Sequence, residues 1–302
     1  MLLCRKSLRT LLASLLFATL CTAASAQSIL PKPTDLPPAR FAKVFGENIR
    51  YYEAGTGSTL VLVHGFGSQA LFDWGRVIKP LALHHHVVAI DEIGWGGSDK
   101  PAIDYSIQTF ADFLGEFLRV KHIDHFALAG ESLGGWIVSL YTIEALQPKD
   151  VYQQGFPKPS QLILEDAAGH RAIRSKGAPQ VPGTLAEAAG IGFIFYDKSL
   201  VTPDLVRQNF MIKLTANDGN TQRSLRTNMK LDEETVGDRV QAINIPTLIV
   251  WGGNDAVVPL EDGKDYAAKI PGAKLVIVPE CGHAPSLEKP KEFLAAVASF
   301  LR

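Results

Sequence analysis

The chain of 302 residues is 46% apolar and 20% charged, with 30 Lys and Arg against 31 Asp and Glu. This is an ordinary globular composition, long enough for one large domain or two small ones. The near balance of charge gives no basic surplus for nucleic acid and no acidic tract that would solvate a disordered tail.

At the N-terminus, Arg5, Lys6 and Arg9 precede an apolar run from Leu11 to Leu20, and Ala24-Ser25-Ala26 follow it. This is the pattern of a signal peptide over residues 1–26, and it predicts export to the periplasm or the medium. The apolar run falls short of the roughly 20 residues a membrane-spanning helix needs, so no stable span is expected after cleavage. Cleavage after Ala26 leaves 27 basic against 31 acidic residues and one cysteine, Cys281. A lone thiol forms no internal disulfide, so folding is expected to rest on core burial. The proline-rich residues 27–40 read as an extended arm.

From Phe41 onward, short apolar runs alternate with longer amphipathic stretches. Buried strands are predicted over 59–63, 87–90, 126–129, 161–164, 247–251 and 274–278, and helices over 106–119, 133–146, 262–269 and 290–301. The alternation predicts an α/β fold, a mainly parallel central sheet flanked by helices, with functional residues just after the strands. Residues 41–167 and 242–302 form this core. Between them, residues 168–241 show candidate helices over 184–189 and 203–214 and no clear buried strand, and read as a helical insertion. Its Ile191, Phe193, Ile194, Phe195, Tyr196, Phe210 and Met211 face a cavity or dock the insertion, with docking the expectation for any one of them.

The strand over 126–129 runs into Gly130-Glu131-Ser132-Leu133-Gly134-Gly135 and then directly into a helix pattern. Gly-x-Ser-x-Gly in that setting holds a serine hydroxyl on a sharp turn, with small residues on either side letting the turn close. Such a nucleophile needs a base, and the base an orienting acid. Asp255 follows the strand over 247–251, and His283 follows the strand over 274–278. Ser132, Asp255 and His283 are therefore the expected catalytic residues. The backbone N–H groups of Phe66, after the first buried strand, and of Leu133 are the expected oxyanion donors. Glu165 and Asp166 end another strand and stay open as alternative acids.

Other residues carry plainer readings. His64 is expected to pack its loop, and Glu131 to be a solvated side chain, the alternative being that its carboxylate alters the field at the elbow. The run His84-His85-His86 points alternately to opposite sides of an extended segment and suits no single metal ion. Cys281 has no elbow around it and reads as a small buried residue. No metal or organic cofactor is expected.

Taken with His64-Gly65-Phe66-Gly67, Asp91-Glu92-Ile93-Gly94-Trp95-Gly96-Gly97-Ser98, Ile245-Pro246-Thr247-Leu248-Ile249-Val250-Trp251-Gly252 and Cys281-Gly282-His283-Ala284-Pro285, the chain resembles the α/β-hydrolase fold family over roughly residues 41–302. That group includes esterases, lipases, carbon-carbon bond hydrolases, epoxide hydrolases and haloalkane dehalogenases. The resemblance implies that residues 168–241 form a helical cap over the cleft. Serine at position 132, where epoxide hydrolases and dehalogenases carry aspartate, favours acyl transfer to water. The expected function is hydrolysis of a small to medium, moderately hydrophobic carboxylic ester. The alternatives are carbon-carbon bond hydrolysis of a diketone-type substrate and, more remotely, a binding protein that kept the fold without catalysis.

Overall fold

The computed structural model describes residues 29–172 and 181–301. The expected signal peptide, the first residues of the arm and residues 173–180 of the insertion lie outside the described residues. Eight strands form one sheet: β1 (Ala39–Val44), β2 (Glu47–Ala54), β3 (Ser58–Val63), β4 (His85–Ile90), β5 (Phe126–Glu131), β6 (Gln161–Glu165), β7 (Thr247–Gly252) and β8 (Lys274–Val278). Their order across the sheet is β1-β2-β4-β3-β5-β6-β7-β8. β2 pairs antiparallel with β1 and β4, and every other pairing is parallel.

Six strands, β3 to β8, match the predicted apolar runs. The hairpin β1–β2 was not anticipated, because its residues alternate in burial and include Arg40, Lys43, Glu47 and Arg50. β8 corrects a second expectation. It lies at the sheet edge with only Val278 fully buried, so its apolar run faces solvent in part instead of being a buried strand.

Alternation along the strands sends side chains to two separate cores. Val61, Val63, Val88, Ile90, Leu128, Leu162, Leu164, Ile249 and Trp251 pack on one face, against the helices Ile107–Val120, Leu133–Leu146 and Leu260–Lys269. Leu60, Leu62, Val87, Ala89, Ala127, Ala129, Ile163 and Val250 pack on the other, against Gly75–Leu81 and Pro290–Phe300. The helix Ile107–Val120 starts where Ser106 accepts the N–H of Thr109 while Thr109 returns a bond to the Ser106 backbone, a reciprocal cap. Leu133–Leu146 is apolar all round and buried along nearly its whole length, as a central helix must be.

Among the described residues between Ala168 and Gln241 there are helices and loops and no strand. Phe195 and Leu205 pack with Phe72, Ala284 and Leu287, with Ile191 and Ile194 against them, so these residues dock the insertion on the core. Phe193, Tyr196 and Met211 are exposed and do not dock the insertion.

Candidate active site

Because β3 to β8 run parallel, their carboxyl ends lie along one edge of the sheet, and the residues singled out in the sequence follow directly from those ends. Ser132 follows β5 with φ 52° and ψ −115°, a left-handed conformation that a serine adopts only when its surroundings impose it. Those surroundings are explicit. The Ser132 N–H donates to the Glu165 carbonyl, and the Ser132 carbonyl accepts from Ala168 N–H, both at 2.9 Å. A Cβ on Gly130 would collide with the Gly134 carbonyl oxygen, and one on Gly134 with that of Val63, so the two glycines are required by close backbone approach.

His283 and Asp255 meet in space. The His283 Nδ1 lies 2.7 Å from Asp255 Oδ2, with the histidine side chain 6% exposed and the aspartate side chain fully buried. The other Asp255 oxygen accepts the N–H groups of Val257 and Val258 at 2.7 and 3.1 Å, which fixes the carboxylate plane. With Asp255 as acceptor, Nδ1 carries the proton and Nε2 is free to act as base. Burial pushes the imidazole pKa down, but the hydrogen bond and charge of Asp255, backed by Asp166 and Asp73, outweigh it and leave His283 above the ordinary histidine value. Among the described residues the Ser132 hydroxyl has no hydrogen-bond partner, in keeping with serine-to-base bonds that tighten only when substrate is bound.

The alternative acids do different work. Asp166, fully buried with φ 42°, accepts Gly252 N–H and Ala284 N–H, each at 2.8 Å, and so ties the loop bearing Asp255 to the loop bearing His283. Glu165 Oε1 accepts the Ser286 N–H at 2.5 Å. Asp166, Asp255 and His283 each place one donor atom within 4.8 Å of the others. Those atoms are already engaged with one another or with backbone N–H groups, so the set is a hydrogen-bonded unit.

On the other side of the elbow, the turn after β3 is held by Asp73, which accepts Gly65 N–H at 2.8 Å and the Ser68 hydroxyl at 2.5 Å. No protein acceptor among the described residues takes the N–H of Phe66 or of Leu133, the two expected oxyanion donors. Phe66 packs edge-on against Trp95, with ring centroids 5.3 Å apart. His64 is structural: its Nδ1 faces the Gly65 carbonyl at 2.8 Å, and its Nε2 accepts Glu92 N–H at 3.1 Å. That pattern fixes the neutral tautomer with the proton on Nδ1. Cys281 is buried, and burial pushes its thiol far above the usual range, which suits packing and not nucleophilic attack.

Glu131 overturns its reading as a solvated side chain. It is 4% exposed, and its Oε1 lies 3.3 Å from His283 Nε2. In the sequence Glu131 stands out only as an acid at the elbow, because the residue before an elbow serine shows its direction only once β5 is placed beside β3 and β6. Glu288 was also missed. Its carboxylate accepts Gly282 N–H at 2.7 Å, Tyr196 N–H at 3.1 Å and Asp197 N–H at 2.8 Å. His283 N–H in turn donates to the Ile194 carbonyl at 2.7 Å. The insertion and the histidine loop are thus bonded to each other directly.

A family model described as "Alpha/beta hydrolase family" matches residues 60–297. The chain belongs to the alpha/beta hydrolase family. Its relatives in the family include the 2-hydroxy-6-oxo-6-(2'-aminophenyl)hexa-2,4-dienoic acid hydrolase of Metapseudomonas resinovorans, 28% identical over 91% of this chain and 95% of that one. Another is the 2-hydroxy-6-oxononadienedioate/2-hydroxy-6-oxononatrienedioate hydrolase of Paraburkholderia xenovorans, 28% identical over 84% of this chain and 90% of that one. Among solved structures, a membrane phospholipase A described as a bacterial virulence factor superposes with a TM-score of 0.71, at 26% identity, over 88% of this chain and 86% of that one. The relatives and solved structures thus include hydrolases named for dienoic-acid-type substrates and a phospholipase.

Proposed function

We propose that the chain is an exported serine hydrolase that cleaves a small to medium, moderately hydrophobic carboxylic ester through an acyl-enzyme. The observation that carries this reading is the strained Ser132 elbow together with the 2.7 Å His283–Asp255 bond. His283 Nε2 takes the Ser132 proton as the hydroxyl oxygen attacks the carbonyl carbon. The N–H groups of Phe66 and Leu133 receive the developing oxyanion, and the leaving alcohol departs with the proton from Nε2. Water then gives a proton to His283, attacks the acyl-enzyme and releases the acid, returning the proton to Ser132. The partner is a small-molecule substrate, and no step calls for a metal or an organic cofactor.

A second reading, hydrolysis of a carbon-carbon bond in a diketone-type substrate, is favoured by the two dienoic-acid-type hydrolases among the relatives. It uses the same base and oxyanion donors, but the leaving group is a carbanion that must be protonated. The deciding experiment compares p-nitrophenyl esters from acetate to palmitate with a 6-substituted 2-hydroxy-6-oxohexa-2,4-dienoic acid, on the wild type and on Ser132→Ala. Ester turnover lost by a factor of about 10⁴ or more in the folded Ser132→Ala variant supports the first reading. Turnover of the dienoic acid alone supports the second, and an undiminished rate in the variant sinks both.

A further inference from the structure

We propose that Glu131 is a positioning residue for His283: a neutral carboxyl that donates its own proton to Asp73 and offers its other oxygen to the Nε2–H of the protonated imidazole. Its role in turnover rests on the serine-hydrolase reading above, while the contact itself rests on geometry.

Glu131 is the last residue of β5, and its side chain turns inward under the elbow. Oε1 is 3.3 Å from His283 Nε2, with both side chains nearly closed to solvent. Oε2 points the opposite way, onto Gly65, where any Cβ would collide with it, and Asp73 reaches the same glycine, its Oδ2 accepting the Gly65 N–H at 2.8 Å. Asp73 already accepts two donors, Gly65 N–H and the Ser68 hydroxyl, whereas among the described residues no N–H or hydroxyl donates to the Glu131 carboxyl. A proton between the two carboxyls therefore belongs on Glu131.

The surrounding charges agree. Facing Glu131 are Asp73 from the helix Ala70–Asp73, Glu165 in direct register on β6, Asp166 beyond it, and His283 from the loop after β8, with Asp255 on the far side of the imidazole. From the helix Pro203–Ala216, Lys213 feels the charges of Asp218 and Asp73. The carboxyls outnumber the cations, so they cannot all ionise in one buried layer. Burial first, and then the charges of Asp73, Glu165 and Asp166, push the Glu131 carboxyl well above the usual range.

A neutral acid in this place suits both states of the base. With His283 neutral, the unprotonated Oε1 donates nothing to Nε2, so the lone pair stays available for the serine proton. With His283 protonated, Oε1 accepts the Nε2–H and holds the ring against the elbow until the leaving group takes that proton. Glu131 keeps its own proton throughout, and the only proton that travels goes from Ser132 to Nε2 to the leaving group. Because Asp73 also anchors the turn that carries Phe66, Glu131 links the base to the oxyanion donors.

The test uses Glu131→Gln and Glu131→Leu. An amide reproduces a neutral acid, with N–H toward Asp73 and C=O toward Nε2, so Glu131→Gln keeps kcat on p-nitrophenyl butyrate within about threefold. Glu131→Leu lowers kcat about 10- to 100-fold at unchanged KM, the loss of one hydrogen bond to a charged group. The acid limb of its pH–rate profile moves to lower pH, because the protonated imidazole has lost an acceptor. In parallel, His283 is titrated by NMR in a Ser132→Ala background, its signal assigned by its loss in His283→Gln. The proposal expects the Gln variant to titrate with the parent. A fall of about one pH unit or more in the Gln variant shows that Glu131 is a charged carboxylate and overturns the proposal. So does a Leu variant with unchanged kcat and unchanged titration. If Glu131→Leu does not fold, the isosteric Gln variant decides alone. Should the wild type turn over neither ester nor dienoic acid, the hydrolase reading fails, and the NMR titration still decides the contact.

Discussion

Two aspartates within reach of one histidine divide their labour, and the division is visible in what each oxygen accepts. Asp255 gives one oxygen to His283 Nδ1, whereas both Asp166 oxygens are taken by backbone N–H groups. Asp255→Asn is therefore expected to leave the fold intact and reduce kcat by about 10³- to 10⁴-fold, because the amide no longer holds the required tautomer. Asp166→Asn retains the nucleophile, base and acid but points an amide at one of the two N–H groups, and is expected to cost about 1–3 kcal/mol of stability. Single-turnover kinetics and thermal melts of the two variants separate these outcomes; an inactive but stable Asp166→Asn beside an active Asp255→Asn would reverse the assignment. The same environment fixes the sign of the pH profile. The base works unprotonated, and its pKa is raised, so kcat/KM rises with pH through a midpoint above the ordinary histidine value near 6.5. A midpoint below that value would show that Asp255 does not pair with the histidine in solution.

Between elements, the decisive contacts are the ones that carry the insertion. Glu288, in the short helix Pro285–Glu288, accepts N–H groups from the histidine loop and from two residues of the insertion. Glu288→Ala leaves three N–H groups without that acceptor. It is expected to lower the melting temperature and to open residues 189–200 to limited proteolysis, with kcat falling as His283 loses its fixed position; protection equal to wild type would show that the packing around Phe195 and Leu205 and the His283–Ile194 bond hold the insertion without Glu288. How much of this was legible in the sequence follows from the physics of each element. β3 to β7 are buried on both faces and read as apolar runs, the helix from 106 was legible in its apolar spacing, and Gly130 announced an elbow through local chemistry. β1 and β2 were silent because each is a half-exposed hairpin strand with charged residues. Ser132, Asp255 and His283 were legible because each follows directly from a strand end. Glu131, Asp166 and Glu288 were not, or not in their roles, because a buried acid is indistinguishable from a solvated one until the strands beside it are placed.

At the scale of the molecule, the layer at the carboxyl edge of the sheet stores carboxyl groups out of water. Burial, with Asp91 beside it, pushes Glu92 up to about 8. Burial likewise pushes Glu165 up to about 8, against the lowering bonds from Ser286. Glu131 and Asp166 are raised as well, burial being the first cause in each. A carboxyl whose folded pKa exceeds its unfolded value binds more protons in the folded state, so stability falls as pH rises between the two. For Glu92 and Glu165 the contribution is fully present below the ordinary glutamate value of 4.5 and is lost by the time pH has passed about 8. Thermal melts are accordingly expected to show a melting temperature that declines from about pH 5 to about pH 9, opposite to the rise produced by salt-bridged acids of lowered pKa. Glu92 is the group on which to test the cause, since its Oε1 has no hydrogen-bond partner among the described residues and its side chain lies outside the Ser132–His283–Asp255 unit. Glu92→Gln, a neutral isostere, is expected to match wild type at pH 5 and to be the more stable of the two at pH 9. Parallel melting curves for the two proteins across that range would mean that Glu92 is ionised in the fold, and that water or a local rearrangement reaches a site the structure holds dry.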